Sequence, residues 1–154
     1  MRHIRTFSRH FPKGHPRQDE PTYFVEKFYN SLYAPNNLMD YPVGLEINES
    51  IREQKHHTIR AGHHINVGDT ISFRVWSDKP YRSKQIVIAP DVEIKKTWNF
   101  EIYHRHNSKA DLSFRFENIP VVAKNDGLEL IDFMHWFTKP FDGQIICWNS
   151  NINY

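Results

Sequence analysis

The alternation of apolar and polar residues over positions 92–103 is the feature that most constrains the fold of this chain. Along most of this run apolar side chains recur at every second position, with charged or hydroxyl side chains between them. A period of two is that of a β-strand with one buried and one solvated face. Positions 70–76 and 112–119 repeat the pattern. Shorter strands are predicted at 3–9, 85–89 and 145–148.

Two helices are predicted between these strands. The first begins after Pro21 and runs to about Leu32, with its apolar residues on one face. The second covers 128–138, follows the Asn-Asp-Gly turn at 125–127 and stops before Pro140. The rings of Trp136 and Phe137 on the second helix are expected to pin it to the sheet.

The order strand, helix, several strands, helix, strand favours the α+β class with an antiparallel, curved sheet. We expect one domain over 1–154: a small mixed or antiparallel β-barrel with two or three flanking helices, because closure of the sheet hides its edges.

Composition narrows the class of protein. The chain has 154 residues, 39% of them hydrophobic and 14% aromatic, which is enough for one core and argues against disorder. Its net charge of +2 is compatible with nucleic acid without being diagnostic. Cys147 is the only cysteine, so no internal disulfide can form, and a cytoplasmic setting is expected. No apolar stretch approaches the roughly 20 residues of a membrane span, so no membrane partner is expected.

The segment Lys55-His56-His57-Thr58-Ile59-Arg60 concentrates reactive groups. A threonine hydroxyl is a weak nucleophile that needs an adjacent base, and a lysine can be that base only if desolvation or a nearby cation such as Arg60 lowers its pKa. In an extended segment Lys55 and Arg60 point to opposite faces. A single turn from Lys55 to Thr58 would instead bring the side chains of Lys55 and Thr58 together. A solvated loop is the alternative interpretation.

The string Lys-x-x-Thr-Ile-Arg at 55–60, followed by Val67-Gly68-Asp69 and an alternating strand, resembles the ASCH domain family. These are small barrels similar to the PUA domains that bind RNA. The closest functional resemblance is to the family's amidohydrolases that act on N4-acetylcytidine. The N-terminal block, with Phe11-Pro12 and His15-Pro16, resembles that of uncharacterised bacterial and phage proteins of ASCH type.

The resemblance implies roles for individual residues. Lys55 would be the base and Thr58 the nucleophile. Asp126, just before Gly127 and the predicted second helix, would be the acidic residue that orients Lys55 or protonates the leaving amine. Arg60 or a backbone N–H would stabilise the oxyanion of an amide under attack. The resemblance implies no cofactor.

A non-catalytic RNA or nucleotide binder is the second hypothesis. Lys55 and Arg60 would then contact phosphate, while Trp76 or Tyr81 stacks on a base. The stretch 74–84 interleaves basic and aromatic residues, which suits single strands. A phage-type scaffold for protein interactions is a third hypothesis, for which the sequence offers no specific feature.

The histidines give weaker signals. His56-His57 and His63-His64 are adjacent pairs, and neighbouring side chains of a strand point to opposite faces, so we predict no metal site. His57 is interpreted as a surface or phosphate-facing ligand contact. His15 could line the pocket if the N-terminal loop folds over it, or it could hold a turn. The sequence leaves open whether the site cuts its ligand or only binds it.

Overall fold

The computed structural model describes residues 1–33, 41–105 and 111–154. In these ranges the chain is α+β, which confirms the predicted class. The elements are β1 (Arg2–Thr6), α1 (Phe24–Leu32), β2 (His57–Ala61), β3 (Thr70–Trp76), β4 (Gln85–Val87), β5 (Val92–Glu93), β6 (Lys96–His104), β7 (Leu112–Arg115), α2 (Ile119–Asn125), α3 (Leu130–Trp136) and β8 (Phe141–Cys147).

The described strands form two four-stranded sheets, and neither sheet closes into a barrel. In the first sheet β3 pairs in parallel with β1 and antiparallel with β4 and β5. The second sheet has the order β2-β8-β6-β7 and is antiparallel throughout. The predicted barrel is therefore not confirmed.

The run 92–103 explains why one curved sheet is replaced by two. The backbone N–H of Ile94 donates to the carbonyl of Asp69, next to the first sheet, at 2.8 Å. The N–H of the following residue, Lys95, donates to Cys147 in the second sheet, also at 2.8 Å. The run is therefore divided between β5 and β6, and the chain passes from one sheet to the other between them.

A cluster of buried rings joins the two sheets beneath α1. The ring of Phe28, which is fully buried, lies 5.2 Å from Phe7, 5.0 Å from Phe73 and 5.2 Å from Trp148, measured between centroids. These partners follow β1, belong to β3 and follow β8. One helix residue thus packs against chain segments from both sheets.

The helices near the C-terminus differ from the prediction of a single helix over 128–138. There are two short helices, α2 and α3, and residues 126–129 connect them. Pro120 lies in the first turn of α2, a position that suits proline because its missing N–H needs no partner there. Asp126 therefore follows the end of one helix and does not open the next. Of the two rings predicted to pin this helix to the sheet, Phe137 lies 5.7 Å from Phe100 of β6. Trp136 packs instead against Phe11 and Phe24, each at 5.7 Å.

No helix in the described ranges is both long and apolar enough to span a bilayer.

Candidate functional site

The segment that carries Lys55 is held between two helices. Residues 51–56 are irregular, and β2 begins only at His57. The backbone N–H of Lys55 donates to Lys27 of α1 at 2.9 Å, and that of His56 donates to Asn125 at the end of α2 at 2.7 Å. The single turn considered for Lys55 to Thr58 does not form. The position of Lys55 is set instead by these two backbone hydrogen bonds.

Lys55 and Asp126 form a buried ion pair. The Lys55 Nζ donates to Asp126 Oδ1 at 2.8 Å and to the backbone carbonyl of Asp126 at 2.7 Å. The two residues are only 2% and 6% exposed. The ammonium also lies 4.2 Å from the centroid of the Phe24 ring, within range of a cation–π interaction. The structure thus brings together two of the predicted catalytic residues from segments 71 positions apart.

Burial and neighbouring charges shift the pKa values of this pair. Burial lowers the pKa of Lys55, and the positive charges of Arg60 and Lys27 act in the same direction, whereas Asp126 opposes them. Burial alone would raise the pKa of Asp126, but the Lys55 ammonium and His57 bring it below its ordinary value. The carboxyl is therefore ionised, and the amine is easier to deprotonate than an exposed lysine.

A small cavity, which we call the Lys55 hollow, adjoins the ion pair. Its volume is about 120 Å³. It is lined by Phe7, Ser8, Phe24, Lys55, Thr58, Ile59, Arg60, Asp126, Trp136 and Phe137. All three predicted catalytic residues and Arg60 therefore share one cavity. Ligand pockets usually measure about 300–1,000 Å³, so the Lys55 hollow has room for one small group of a ligand.

One polar group that β2 brings to the hollow lacks a hydrogen-bond partner among the described residues. Thr58 is 5% exposed and lines the hollow. The Arg60 Nη2 donates to the carbonyl of Thr6 at 2.6 Å, whereas its Nε is buried and has no hydrogen-bond partner among the described residues. A buried donor without a partner is costly, and an acceptor on a ligand would relieve it.

His57 lies behind the ion pair and does not line the hollow. It is fully buried, with its Nδ1 3.5 Å from Asp126 Oδ1 and its Nε2 2.7 Å from the hydroxyl of Tyr154. The structure thus contradicts the prediction that His57 contacts a ligand or phosphate, because no part of its side chain is exposed. The physical reason is strand geometry: Thr58 faces the hollow, so its neighbour in β2 faces the opposite way.

His15 is also away from the hollow. It is buried against the ring of Phe11, at 4.6 Å between centroids. Its Nδ1 accepts a hydrogen bond from the backbone N–H of Arg17 at 3.0 Å, and its Nε2 lies 3.0 Å from the carbonyl of Asp132. These contacts match the alternative that was considered for His15, a residue that holds a turn.

Trp76 and Tyr81 lie at the β3–β4 connection and are not among the residues that line the hollow. Their rings are 5.2 Å apart, and Tyr81 is 87% exposed. The backbone of Tyr81 has a φ of 63°, in the left-handed region. An exposed ring next to a second ring remains suited to stacking on a base.

Several residues that position the site were not among the predicted site residues. The Lys27 Nζ donates to the carbonyl of Gly127 at 2.7 Å, so Lys27 and Lys55 bind successive carbonyls of the 126–127 turn. Tyr154 contacts His57, and its hydroxyl accepts from Asn125 Nδ2 at 2.9 Å. Lys27 and Tyr154 belong to no local motif, so no spacing in the sequence marks them.

A groove of about 740 Å³ lies on the other side of the 126–127 turn. Its walls carry charges of both signs, including Lys27, Lys124, Glu53 and Glu129.

In the parts of the chain that the structure describes, no group of three His, Cys, Asp or Glu side chains could hold a metal ion.

Comparisons of the chain with protein-family models, with curated proteins and with solved structures found no match. The interpretation of the site therefore depends on its geometry and on the motif at 55–60.

Proposed function

We propose that the Lys55 hollow binds the acyl-amide group of a modified nucleoside, of the N-acylated cytidine type, and hydrolyses its C–N bond. The observation that carries this proposal is the buried Lys55–Asp126 ion pair beside Thr58. The resemblance at 55–60 to ASCH-type amidohydrolases supplies the substrate class. It also suggests that the two sheets are a variant of a PUA-like barrel, in a protein of the cytoplasm.

The charges at the hollow favour Lys55 as a base. Arg60 remains protonated at any physiological pH. With a protonated Lys55 the hollow contains two cations and one anion, whereas with a neutral Lys55 it contains one of each. The charge of Arg60 therefore offsets part of the cost of removing the proton from Lys55 in this buried site. The neutral amine that a base requires is therefore accessible here.

The reaction can be written with every proton assigned. The Thr58 Oγ1 bonds to the acyl carbon and its proton passes to the Lys55 Nζ, while the Nε of Arg60 donates to the oxyanion. The C–N bond then breaks and the leaving nitrogen takes the proton from Lys55. Water next attacks the acyl-threonine and gives its proton to Lys55. The C–Oγ1 bond breaks, and that proton returns to Thr58.

The size of the hollow limits the part of the substrate that enters it. A cavity of about 120 Å³ can accept the acyl-amide end, while the ribose stays outside. Phe24 and Phe7 line the hollow and provide an apolar wall against which a short acyl chain would pack.

The test is turnover of N4-acetylcytidine to cytidine, followed by chromatography, for the wild-type protein and for the variants Lys55→Met and Thr58→Ala. We expect each variant to lose activity by about 100-fold or more, because general-base and nucleophile roles contribute on that scale. Thr97→Ala is the matched control. Thr97 and Thr58 flank the same residue of β8, Ile146, but Thr97 does not line the hollow. Equal turnover by all four proteins, or none by the wild type, would reject the proposal.

A second candidate is an RNA or nucleotide binder that does not cut, favoured by the exposed Tyr81 beside Trp76. Lys55 is paired with Asp126 and cannot provide the phosphate contact first assigned to it, so the exposed basic residues of 74–84 would do so. Binding of single-stranded RNA should then weaken as salt rises, and Tyr81→Ala should weaken it further. An RNA affinity that does not change with salt concentration would exclude phosphate contacts. A stable protein partner without any RNA binding would favour a scaffold for protein interactions.

A further inference from the structure

The buried histidine behind the ion pair has no part in the proposed reaction steps, although it faces the acid. His57 is fully buried between Asp126 and Tyr154. Its Nδ1 is buried and forms no hydrogen bond with the described residues at the present 3.5 Å separation from Asp126. A polar atom in this position must be either a bare acceptor or an N–H donor that faces the carboxylate.

The hydrogen bonds of Tyr154 indicate which of the two it is. The Tyr154 hydroxyl accepts a hydrogen bond from Asn125 Nδ2 at 2.9 Å, so its own hydrogen is available to His57 Nε2 at 2.7 Å. If Nε2 accepts this hydrogen, the ring proton of a neutral imidazole must be on Nδ1. The other tautomer would place a lone pair of Nδ1 against a carboxylate oxygen in a dry interior, which is repulsive.

We infer that His57 is a positioning residue: Tyr154 fixes it in the Nδ1–H tautomer, and it presents this buried N–H to the carboxylate of Asp126. The arrangement matters most when Lys55 has lost its proton, because Asp126 then loses its main counter-ion. His57 still offers it a donor. Asp126 thus stays ionised while Lys55 acts as a base.

Three positively charged side chains also lie around Asp126. Lys55 binds it directly, and Arg60 lines the same hollow from β2. Lys27 of α1 binds the next carbonyl, at Gly127. His57 is fully buried, whereas the neighbouring His56 is only partly buried. Burial lowers the pKa of the His57 imidazole, which agrees with a neutral ring. The tautomer itself follows from the hydrogen bonds alone.

The first experiment is nitrogen NMR of the imidazole rings in the wild-type protein at neutral pH, without substrate. We expect His57 to be neutral, with a protonated Nδ1 and a bare Nε2. A bare Nδ1, or an imidazolium, would overturn the inference. This measurement needs no variant and no turnover, so it can fail or succeed independently of the proposed function.

The second experiment follows the side-chain carboxyl of Asp126 by carbon NMR during an acid titration. We expect His57→Phe to raise the pKa of Asp126 by about one unit, since a hydrogen bond to a charged group is worth about that much. The same substitution at the preceding residue, His56→Phe, is the control. The His56 side chain contacts Asn149 and should leave Asp126 unchanged. An unshifted Asp126 in folded His57→Phe would also overturn the inference.

The consequence for activity rests on the proposed function. If the amidase is confirmed, the acid limb of the kcat/KM profile should move to higher pH in His57→Phe, because an Asp126 carboxylate without the His57 donor holds the proton of Lys55 more tightly, and the neutral base forms only at higher pH. If no substrate is turned over, the two NMR results still decide the role of His57.

Discussion

At the scale of single residues, the buried ammonium of Lys55 is the group on which both stability and chemistry depend. Lys55→Met removes the charge with a side chain that is only one atom shorter. The Asp126 carboxylate would then be buried without its partner, and we expect a loss of about 3–5 kcal/mol in the free energy of unfolding. Urea unfolding at pH 7 measures this change.

The double variant Lys55→Met/Asp126→Asn controls for the missing partner. Because it removes the orphaned charge as well, it should recover part of the loss. The single variant should also become more stable relative to wild type as the pH falls toward 4, since an unpaired buried carboxyl has a raised pKa and is neutral below it. A loss that does not change between pH 7 and pH 4 would contradict this account.

A second prediction at this scale concerns the pH dependence of stability. Burial lowers the pKa of His57, so below about pH 6.5 the unfolded chain takes up a proton that the folded protein does not. The contribution of His57 is therefore present above that pH and lost as the pH falls toward the lowered pKa, by at most about 1.4 kcal/mol per pH unit. His57→Phe should flatten the curve between pH 7 and pH 5 in urea unfolding. Equal slopes for variant and wild type would refute the prediction.

At this scale the structure agrees with the sequence on which residues lie together, while their catalytic roles stay predictions. The motif resemblance named Lys55, Thr58 and Asp126, and these three line one cavity. His57 follows the same local pattern but faces the other side of β2. Which side of a strand faces the site depends on tertiary packing, so a single sequence could not decide it.

At the scale of elements, the turn between α2 and α3 places the acid. The Asn-Asp-Gly pattern at 125–127 predicts the start of a helix, because such residues cap helix starts. The same residues also end helices, and Gly127, with a φ of 84°, adopts the left-handed conformation common just after a helix end. The strand 70–76 was predicted with its observed ends, since a uniform alternation leaves no such ambiguity.

Gly127→Ala tests the role of this turn. A Cβ at position 127 would lie 3.2 Å from the Cβ of Lys55 and 3.3 Å from the Cδ of Lys27, in addition to the strain of a positive φ. Gly14 is a matched control, with a φ of 89° and nothing within 4 Å of an added Cβ. We expect Gly14→Ala to destabilise by about 1–2 kcal/mol from the backbone alone and Gly127→Ala to destabilise by more. Equal losses in thermal or urea unfolding would show that Lys55 is not crowded by the turn.

At the scale of the whole molecule, the two sheets share one ring cluster and one site. The hollow takes Thr58 from β2 of the second sheet and Lys55 from the residues just before β2. Phe7 comes from the residue after β1 of the first sheet, and Asp126 from the turn between helices. The division into two sheets could not be predicted, because the alternation over 92–103 is almost continuous. Backbone hydrogen bonds from Ile94 and Lys95 to different sheets divide it, and sequence patterns do not encode such partners.

The shared cluster predicts that both sheets unfold together. Phe28 is fully buried and packs against rings from both sheets, so Phe28→Ala should destabilise the protein by about 3–5 kcal/mol. Far-ultraviolet circular dichroism reports both sheets and fluorescence reports the tryptophans, and the two signals should give one coincident transition in urea for wild type and variant. Tyr81→Ala, which removes a ring that is 87% exposed, should change the midpoint little. Two separated transitions in the wild type would mean that the sheets are independent units, and the site between them could not then be held by the core.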